Sequence, residues 1–221
     1  MQSRLIGCCL VAAGWALAPL AASAQTASVG VGFGTQGANV ELGYQLNDTW
    51  GLRWSTNYFR FGHSPKIDDV TYHGVANLFS TGLLGDFYFS PTGGFRLTGG
   101  LYYNENKAKV NARPTGNVNF NGTTYTPTQV GALSGRLHYR KWAPYAGFGY
   151  SSNHNQPGWG FTGDLGVMFQ GTPRVNLAST GTANALAGYS ANLARERDDL
   201  RDDADWTKYY PVARVGLVYR F

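Results

Sequence analysis

Charged side chains stand at the polar positions of segments in which polar and apolar residues alternate. Asp86 and Arg96 flank one short predicted turn, and Glu41 and Arg53 flank another. Because a buried charge without a partner is costly, this spacing predicts ion pairs inside the fold. The charged residues at such positions are Glu41, Arg53, Asp86, Arg96, Lys141, Asp164, Arg214 and Arg220. Two hypotheses stay open: a structural network that plugs the interior, or a ladder of charges that guides a small zwitterionic or basic solute.

A second charged group lies between residues 191 and 206, a segment without Gly or Pro that we predict to be a short helix. Its acidic residues are Glu196, Asp198, Asp199, Asp202, Asp203 and Asp205. Arginines alternate with them, which is typical of a solvated, salt-bridged helix face. The other hypothesis is an acidic vestibule that concentrates cations such as basic amino acids or divalent ions. The spacing is not that of a calcium-binding loop.

Ser151, Ser152 and His154 are the residues closest to a nucleophile-and-base arrangement. A nucleophile and a base act on a lipid only where the lipid can reach them. The alternation pattern leaves these residues in a short connection, residues 151–158, between two predicted strands. Paired carboxylates and metal-ligand spacings are not found in the sequence, so we predict no catalytic site, no metal and no cofactor.

Alternation with a period of two residues predicts eight strands. They cover residues 27–34, 38–46, 50–61, 74–89, 95–104, 136–150, 159–170 and 212–221. Of the seven connections between them, four are short, at residues 35–37, 47–49, 90–94 and 151–158, and three are long, at residues 62–73, 107–135 and 171–208. The turn at 35–37 is the exception, because it lies on the same side as the long connections. Short periplasmic turns and long extracellular loops are typical of outer-membrane barrels. We therefore predict an all-β fold: an eight-stranded antiparallel transmembrane β-barrel with a short extracellular helix between strands 7 and 8.

Aromatic residues at the outward positions of these strands form two belts. The periplasmic belt contains Trp50, Phe89, Phe95, Tyr150, Trp159 and Phe221. The outer belt contains Phe33, Tyr58, Phe79, Tyr103, Trp142 and Phe169. The spacing along each strand corresponds to roughly 20–25 Å, which matches the apolar band of about 25 Å in such barrels. A soluble β-sandwich does not need outward aromatic belts, so the pattern argues against that fold.

The C-terminal strand carries Leu217, Tyr219 and Phe221 on one face. Alternate apolar residues that end on an aromatic are similar to the signal by which the bacterial barrel-assembly machinery recognises its clients. Taken alone, the same residues would also fit an amphipathic edge strand. The seven other strands favour the barrel, and we predict that these three residues serve as the assembly signal.

The first 24 residues have the pattern of a cleaved signal peptide. Arg4 precedes an apolar stretch, and Ala22-Ser23-Ala24 fits the small-residue cleavage rule. Cys8 and Cys9 lie inside that stretch, so we expect residues 25–221 to form one cysteine-free barrel domain. The formal charge of the chain is +5, without a polybasic cluster, and we predict no nucleic-acid partner.

Several short motifs in the second half of the chain resemble one known group. They are Ala143–Gly149, Trp159-Gly160, Asp164–Gly166, Gly171–Leu177 and Tyr210–Val212. Their order resembles the CarO-type outer-membrane proteins, the ornithine-uptake and carbapenem-susceptibility barrels and their uncharacterised relatives. This resemblance implies an eight-stranded barrel in the outer membrane of a Gram-negative bacterium and a role in passive entry of small basic solutes. It assigns no binding residue in this chain.

These observations predict a porin-like outer-membrane barrel that contributes to passive uptake of small basic or zwitterionic solutes. The alternative is a closed structural or interaction barrel that acts through its extracellular loops. A lipid A-modifying enzyme is the third and least favoured possibility, because Ser151, Ser152 and His154 fall in a periplasmic turn, on the wrong side of the membrane for lipid A. The expected partners are outer-membrane lipid and lipopolysaccharide, the barrel-assembly machinery during biogenesis, and small solutes.

Overall fold

The computed structural model describes residues 27–63, 66, 67, 70–120 and 122–221. The predicted signal peptide, residues 1–24, lies outside the described residues. No helix in the described part of the chain is long and apolar enough to span a membrane.

The structure is built mainly from strands. The strands are β1 (Ala27–Gly34), β2 (Gly37–Gln45), β3 (Trp50–His63), β4 (Lys66–Ile67), β5 (Val70–Tyr88), β6 (Phe95–Asn104), β7 (Lys107–Pro114), β8 (Val118–Phe120), β9 (Thr123–Tyr125), β10 (Leu133–His138), β11 (Trp142–Ser151), β12 (Gly158–Phe169), β13 (Arg174–Ser179) and β14 (Tyr209–Arg220). The helices are α1 (Pro127–Val130) and α2 (Tyr189–Asp203), with 3₁₀ turns at Thr182–Ala185 and Asp205–Lys208.

Eight of these strands close into an antiparallel barrel. Their order is β5, β3, β2, β1, β14, β12, β11 and β6, and β6 pairs again with β5. The helix α2 lies between the seventh and eighth barrel strands, β12 and β14. The predicted fold class is therefore confirmed.

The two faces of the barrel wall differ as the alternation predicts. In β11, exposed and buried residues alternate without exception from Trp142 to Ser151. The outward aromatics of both belts are exposed or half-buried, with Trp159 69 % exposed and Phe33 62 % exposed. An apolar outer surface of this kind requires a surrounding lipid phase, since water would disfavour it.

One side of the barrel wall extends well beyond the outer aromatic belt. β7 continues β6, β10 precedes β11, and β13 continues β12. These three strands keep the neighbours of the barrel, since β5 pairs with β7, β7 with β10, and β10 with β13. We call β7, β10, β13 and the outer ends of β3 and β5 the high wall. On the opposite side, β1 and β2 are joined by a short turn at the level of the outer belt.

Two sequence predictions are wrong here. The predicted sixth strand, 136–150, is two strands that are separated at residues 139–141, where the backbone leaves the ladder. There the Arg140 N–H donates to Gln170 C=O at 3.2 Å, and the Lys141 C=O accepts from the Asn104 N–H at 2.6 Å. The long segments 107–135 and 171–208 are also not simple loops, because they contain β7 and β13.

The inner face of the high wall is apolar and carries a roof. The row of cross-strand partners Ala76, Ala108, Leu137 and Val175 illustrates this face. The roof consists of α2, the β8–β9 hairpin and a small core of Phe120, Tyr125, Val130, Ala183 and Tyr189. In the β8–β9 hairpin, Phe120 pairs with Thr123, and Gly122 has a φ of +80°.

We expect a charge on the outward face of the barrel to be poorly tolerated. Leu165 on β12 is 67 % exposed, midway between Trp159 and Phe169, so Leu165→Arg should lower the free energy of unfolding by about 2–4 kcal/mol in phospholipid vesicles. Leu186→Arg, in an exposed extracellular segment, is the matched control and should have little effect. Equal effects in urea titrations of the two variants would contradict the lipid-facing assignment of β12.

Candidate functional site

Arg53 and Asp164 form the centre of a charge network inside the barrel. The Arg53 guanidinium contacts three carboxylates: Glu41 at 3.1 Å, Asp86 at 3.0 Å and Asp164 at 3.0 Å. Asp164 in turn accepts from three guanidiniums, those of Arg53, Arg96 at 2.8 Å and Arg214 at 2.6 Å. Each member of the central pair is thus surrounded by opposite charge.

The network is balanced in charge and sealed from solvent. It contains three carboxylates and three guanidiniums, and none of the six side chains is more than 8 % exposed. Arg214 also contacts Glu41 at 2.7 Å, and Thr98 donates to Asp86 at 2.6 Å. Both predicted pairs are present, since Arg96 lies 3.4 Å from Asp86 and Arg53 contacts Glu41.

Glycines on β11 make space for this network. A Cβ at Gly149 would lie 2.6 Å from an Asp164 carboxylate oxygen and 2.9 Å from Arg96 Nε. At Gly147, a Cβ would lie 2.5 Å from the Tyr145 hydroxyl. Because any larger residue would displace the charges or the ring, the interior at this level is filled by side chains rather than by solvent.

The periplasmic end of the lumen is covered by the β11–β12 turn, residues 152–157. His154 stacks on the ring of Tyr88 with a centroid distance of 4.0 Å and is 2 % exposed. Asn155 donates to the Pro91 carbonyl at 2.8 Å and to an Asp48 carboxylate oxygen at 3.3 Å. The turn therefore reaches the two other periplasmic turns and fixes them to one another.

Arg220 holds the same turn from the barrel wall. Its guanidinium donates to the Ser152 carbonyl at 2.9 Å and to the Ser151 hydroxyl. It belongs to this periplasmic cover and has no ion pair with the central network among the described residues. Arg220 is buried at the periplasmic end of the lumen, and its partners are neutral oxygens.

An apolar layer fills the lumen on the extracellular side of the network. It consists of Leu84, Tyr102, Ala143, Tyr145, Met168 and Val212, with Tyr210 against it. Tyr102 and Tyr145 meet edge to face at 5.8 Å. Above them, Gln170 accepts from Asn106 at 3.1 Å and donates to the Thr207 carbonyl at 2.9 Å, which closes the outer mouth.

These layers leave little free volume inside the barrel. The cavity beside the network, bounded by Glu41, Arg53, Tyr88, His154 and Arg220, measures about 40 Å³. That volume has room for one or a few waters, but not for an amino acid. At the level of the network, the described side chains therefore leave no space as large as an amino acid.

Lys141 is not part of the lumen network, which corrects the sequence prediction. It lies in the break between β10 and β11, exposed, with its Nζ 5.6 Å from the ring centroid of Tyr103 on the outer belt. The alternation that assigned Lys141 to the interior does not extend through the break, because the backbone there is no longer in a strand.

The acidic residues of α2 do not surround the mouth of the barrel. The helix packs against β13 of the high wall and against β8 of the roof hairpin. Asp198 pairs with Arg197 at 3.0 Å, Asp202 pairs with Arg201 at 3.2 Å, and Asp205 in the following 3₁₀ turn pairs with Lys208 at 2.6 Å. Glu196 borders an apolar pocket of about 510 Å³ between the high wall and the helix.

Asp199 and Asp203 are exposed on α2 and have no ion pair in the described part of the chain. The arrangement as a whole is that of the solvated, salt-bridged face, the first of the two hypotheses for this segment.

The residues considered for catalysis are engaged in structural contacts. The Ser152 hydroxyl accepts from the Phe161 N–H at 2.8 Å, and the His154 ring nitrogen faces the Asp48 carbonyl at 3.5 Å. Ser151 accepts from Arg220. Among the described residues, no group of three or more His, Cys, Asp or Glu side chains is arranged to hold a metal ion.

Leu217, Tyr219 and Phe221 point outward at the periplasmic end, where Tyr219 and Phe221 meet edge to face at 5.2 Å.

Sequence reasoning did not select Tyr102, Tyr145, Met168 or His154 as residues that fill the lumen. The first three occupy inward positions of predicted strands, so the alternation pattern could have identified them as lumen residues. The position of His154 under the barrel depends on a turn and had no such signal.

The fold and the filled interior define a small, closed barrel of the outer-membrane type. The crystal structure of CarO2 from Acinetobacter baumannii is similar, with a TM-score of 0.60 and 21 % sequence identity, over 89 % of this chain and 98 % of that one. The crystal structure of CarO from the same organism gives a TM-score of 0.57 and 22 % identity, over 88 % and 97 %. No protein-family model matches the sequence, and no curated protein does. The fold expected from the CarO-type resemblance is thereby confirmed.

Removal of one central charge should be far more costly than removal of a surface charge. Asp164→Asn leaves three buried guanidiniums with two carboxylates, and we expect the free energy of unfolding to fall by about 3–5 kcal/mol. The control Asp202→Asn breaks an exposed pair with Arg201 and should cost less than about 1 kcal/mol. Urea titrations in phospholipid vesicles measure both values, and similar losses would rule out a stabilising network.

Acidification should weaken the periplasmic cover through His154. Burial lowers the pKa of His154 below its ordinary value of 6.5, and the nearby Arg220 and Arg96 charges act in the same direction. The unfolded chain therefore takes up this proton first as the pH falls. The stabilisation from neutral His154 is complete above about pH 6.5 and is lost as the pH falls toward the lower folded pKa.

The measurement compares urea midpoints at pH 8 and pH 5.5 for the wild type and His154→Phe, which keeps a ring against Tyr88 but cannot titrate. We expect the midpoint of the wild type to decrease more on acidification than that of the variant. An identical pH dependence in both proteins would show that the His154 proton is not linked to stability.

Proposed function

We propose that this chain is an outer-membrane barrel whose lumen is closed and whose function resides in its extracellular half. The observation that carries the proposal is the balanced network around Arg53 and Asp164, which fills the barrel at its middle. Such a barrel serves as an anchor and presents the high wall and its roof outside the cell.

The extracellular half has the properties of an organised surface. Its strands continue the barrel ladder, so its position relative to the membrane is fixed by backbone hydrogen bonds. Its roof has a core of its own, in which Tyr189 is 1 % exposed and its hydroxyl donates to Ser179 at 2.8 Å. Ordered extensions of this kind support recognition, because little conformational entropy is lost on binding.

Passive uptake of basic or zwitterionic solutes requires a path that this packing does not leave. A solute would have to displace the apolar layer at Tyr102 and Tyr145 and then separate ion pairs with side chains no more than 8 % exposed. Breaking a buried pair costs several kcal/mol, which opposes frequent opening. The acidic helix also lies on the high wall rather than around the mouth. These points favour the closed barrel over the porin-like alternative.

Conductance and solute influx test the closed lumen directly. The refolded full chain in planar phospholipid bilayers at pH 7 should give no unitary conductance above the protein-free bilayer, because the charge layer blocks ion passage. Liposomes that contain it should swell no faster in lysine, arginine or glycine than protein-free liposomes.

An open porin in the same lipid provides the positive control for both assays. Reproducible conductance steps, or faster swelling in any of the three amino acids, would reject the closed lumen in favour of solute uptake.

A further inference from the structure

The outward face of the high wall is basic. Cross-strand partners in a sheet project from the same face, so the register defines rows of neighbouring side chains. One row contains Arg60, Asn77, Lys107, His138 and Arg174 on five successive strands. In the next row, Lys109 pairs with Arg136. We call Arg60, Lys107, Lys109, Arg136, His138 and Arg174 the basic face.

This face is the upward continuation of the lipid-facing surface of the barrel. Arg60 follows the outer-belt residue Tyr58 by two positions on β3, and Asn77 precedes Phe79 by two on β5. Parity along each strand is unchanged, so these positions point away from the lumen. At the usual strand rise and tilt, Arg60 lies roughly 5 Å above Tyr58 of the outer belt, and Lys107 lies roughly 10 Å above Tyr103.

The cations of the basic face lack acidic partners in the described part of the chain. Lys107, Lys109, Arg136 and Arg174 are exposed and form no ion pair there. The strand segments 60–63, 73–77, 107–114, 133–138 and 174–179 contain no Asp or Glu. Glu105, near the outer belt, accepts from Tyr103 at 3.2 Å. The interior network is neutral, whereas the described residues of this exterior surface leave its positive charge without ion pairs.

A second observation at the edge of the face also indicates an anion. A pocket of about 720 Å³ beside β13 is bounded by Arg140, Arg174, Arg197 and Arg201, with Asp198 as its one carboxylate among the described residues. Arg140 and Arg174 have no ion pair in the part of the chain that the structure describes. Guanidiniums at such a concave edge suit phosphate oxygens, which they bind with paired hydrogen bonds.

We propose that the basic face binds the phosphorylated headgroup of the outer-leaflet glycolipid, lipopolysaccharide. This inference rests on the outer-membrane placement in the proposed function and adds a partner and a surface to it. The position of the rows directly above the lipid-facing belt favours a lipid headgroup over a soluble polyanion, because the face is directed along the membrane surface. Each cation close to an anionic membrane surface adds to the free energy of binding to that surface, so several cations together bind more strongly.

The test uses the full chain refolded in neutral detergent and titrated with fluorescent diphosphoryl lipid A. Lys109→Gln combined with Arg136→Gln removes one lysine and one arginine from the basic face. The control, Arg195→Gln combined with Lys208→Gln, removes the same charges from α2 and its following turn. We expect the first variant to bind roughly tenfold to thirtyfold more weakly and the control to bind as the wild type does.

Two further arms identify the source of the phosphate. Lipid A stripped of its phosphates should bind at least tenfold more weakly than the diphosphoryl form, and polyphosphate should compete poorly. Equal binding by the face variant, or by phosphate-free lipid A, would overturn the proposal. Polyphosphate that binds as tightly as lipid A would overturn it in favour of a soluble polyanion. Circular dichroism of each variant verifies that the barrel is folded.

Conductance measured on the same samples separates this proposal from the closed lumen. A conducting protein that still binds lipid A through the basic face would reject only the closed lumen. A non-conducting protein without phosphate-dependent binding would reject only the basic-face proposal.

Discussion

The contact between Arg53 and Asp164 is the interaction on which the interior of this barrel depends. Around it, charged side chains from six of the eight barrel strands meet: β2, β3, β5, β6, β12 and β14. Each of these charges would be strongly unfavourable alone in a buried site, and only their balance makes the cluster stable. The strands are thus connected across the lumen as well as around the wall, and a barrel of eight strands has no further room.

Because side chains fill the lumen, we expect the function of the molecule to depend on its outer surface. The high wall provides that surface, because it extends the ladder on one side only. Its inner face is apolar and covered by α2 and the hairpin. Its outer face carries cations that have no ion pair among the residues the structure describes. Within the membrane, alternation directs side chains either to the lipid or to the lumen. In the high wall, the same alternation directs them either to the membrane surface or to the roof. One local rule of strand geometry produces both boundaries.

Much of the fold follows from local pattern. The strand 95–104 was predicted with its observed bounds. The six residues of the charge network, which alternation assigns to inward positions, are buried: Glu41, Arg53, Asp86, Arg96, Asp164 and Arg214. The alternation rule wrongly assigned Lys141 to the lumen, because residues 139–141 lie between β10 and β11 and are not in a strand. The high wall was not foreseen for a related reason. β7 and β13 do alternate polar and apolar residues, but they carry no aromatic residue of the belts, and their pairing partners are distant in the chain.

The sequence by itself determined which face each residue of a barrel strand takes, since alternation and aromatic belts depend only on neighbours along the chain. It also determined that the inward charges needed partners of opposite sign. Only the tertiary structure decided that these charges converge on one pair, that a periplasmic turn covers the lumen, and that scattered lysines and arginines share one outward surface. Those facts depend on register between strands and on closure of the ring, which bring together residues that are far apart in sequence.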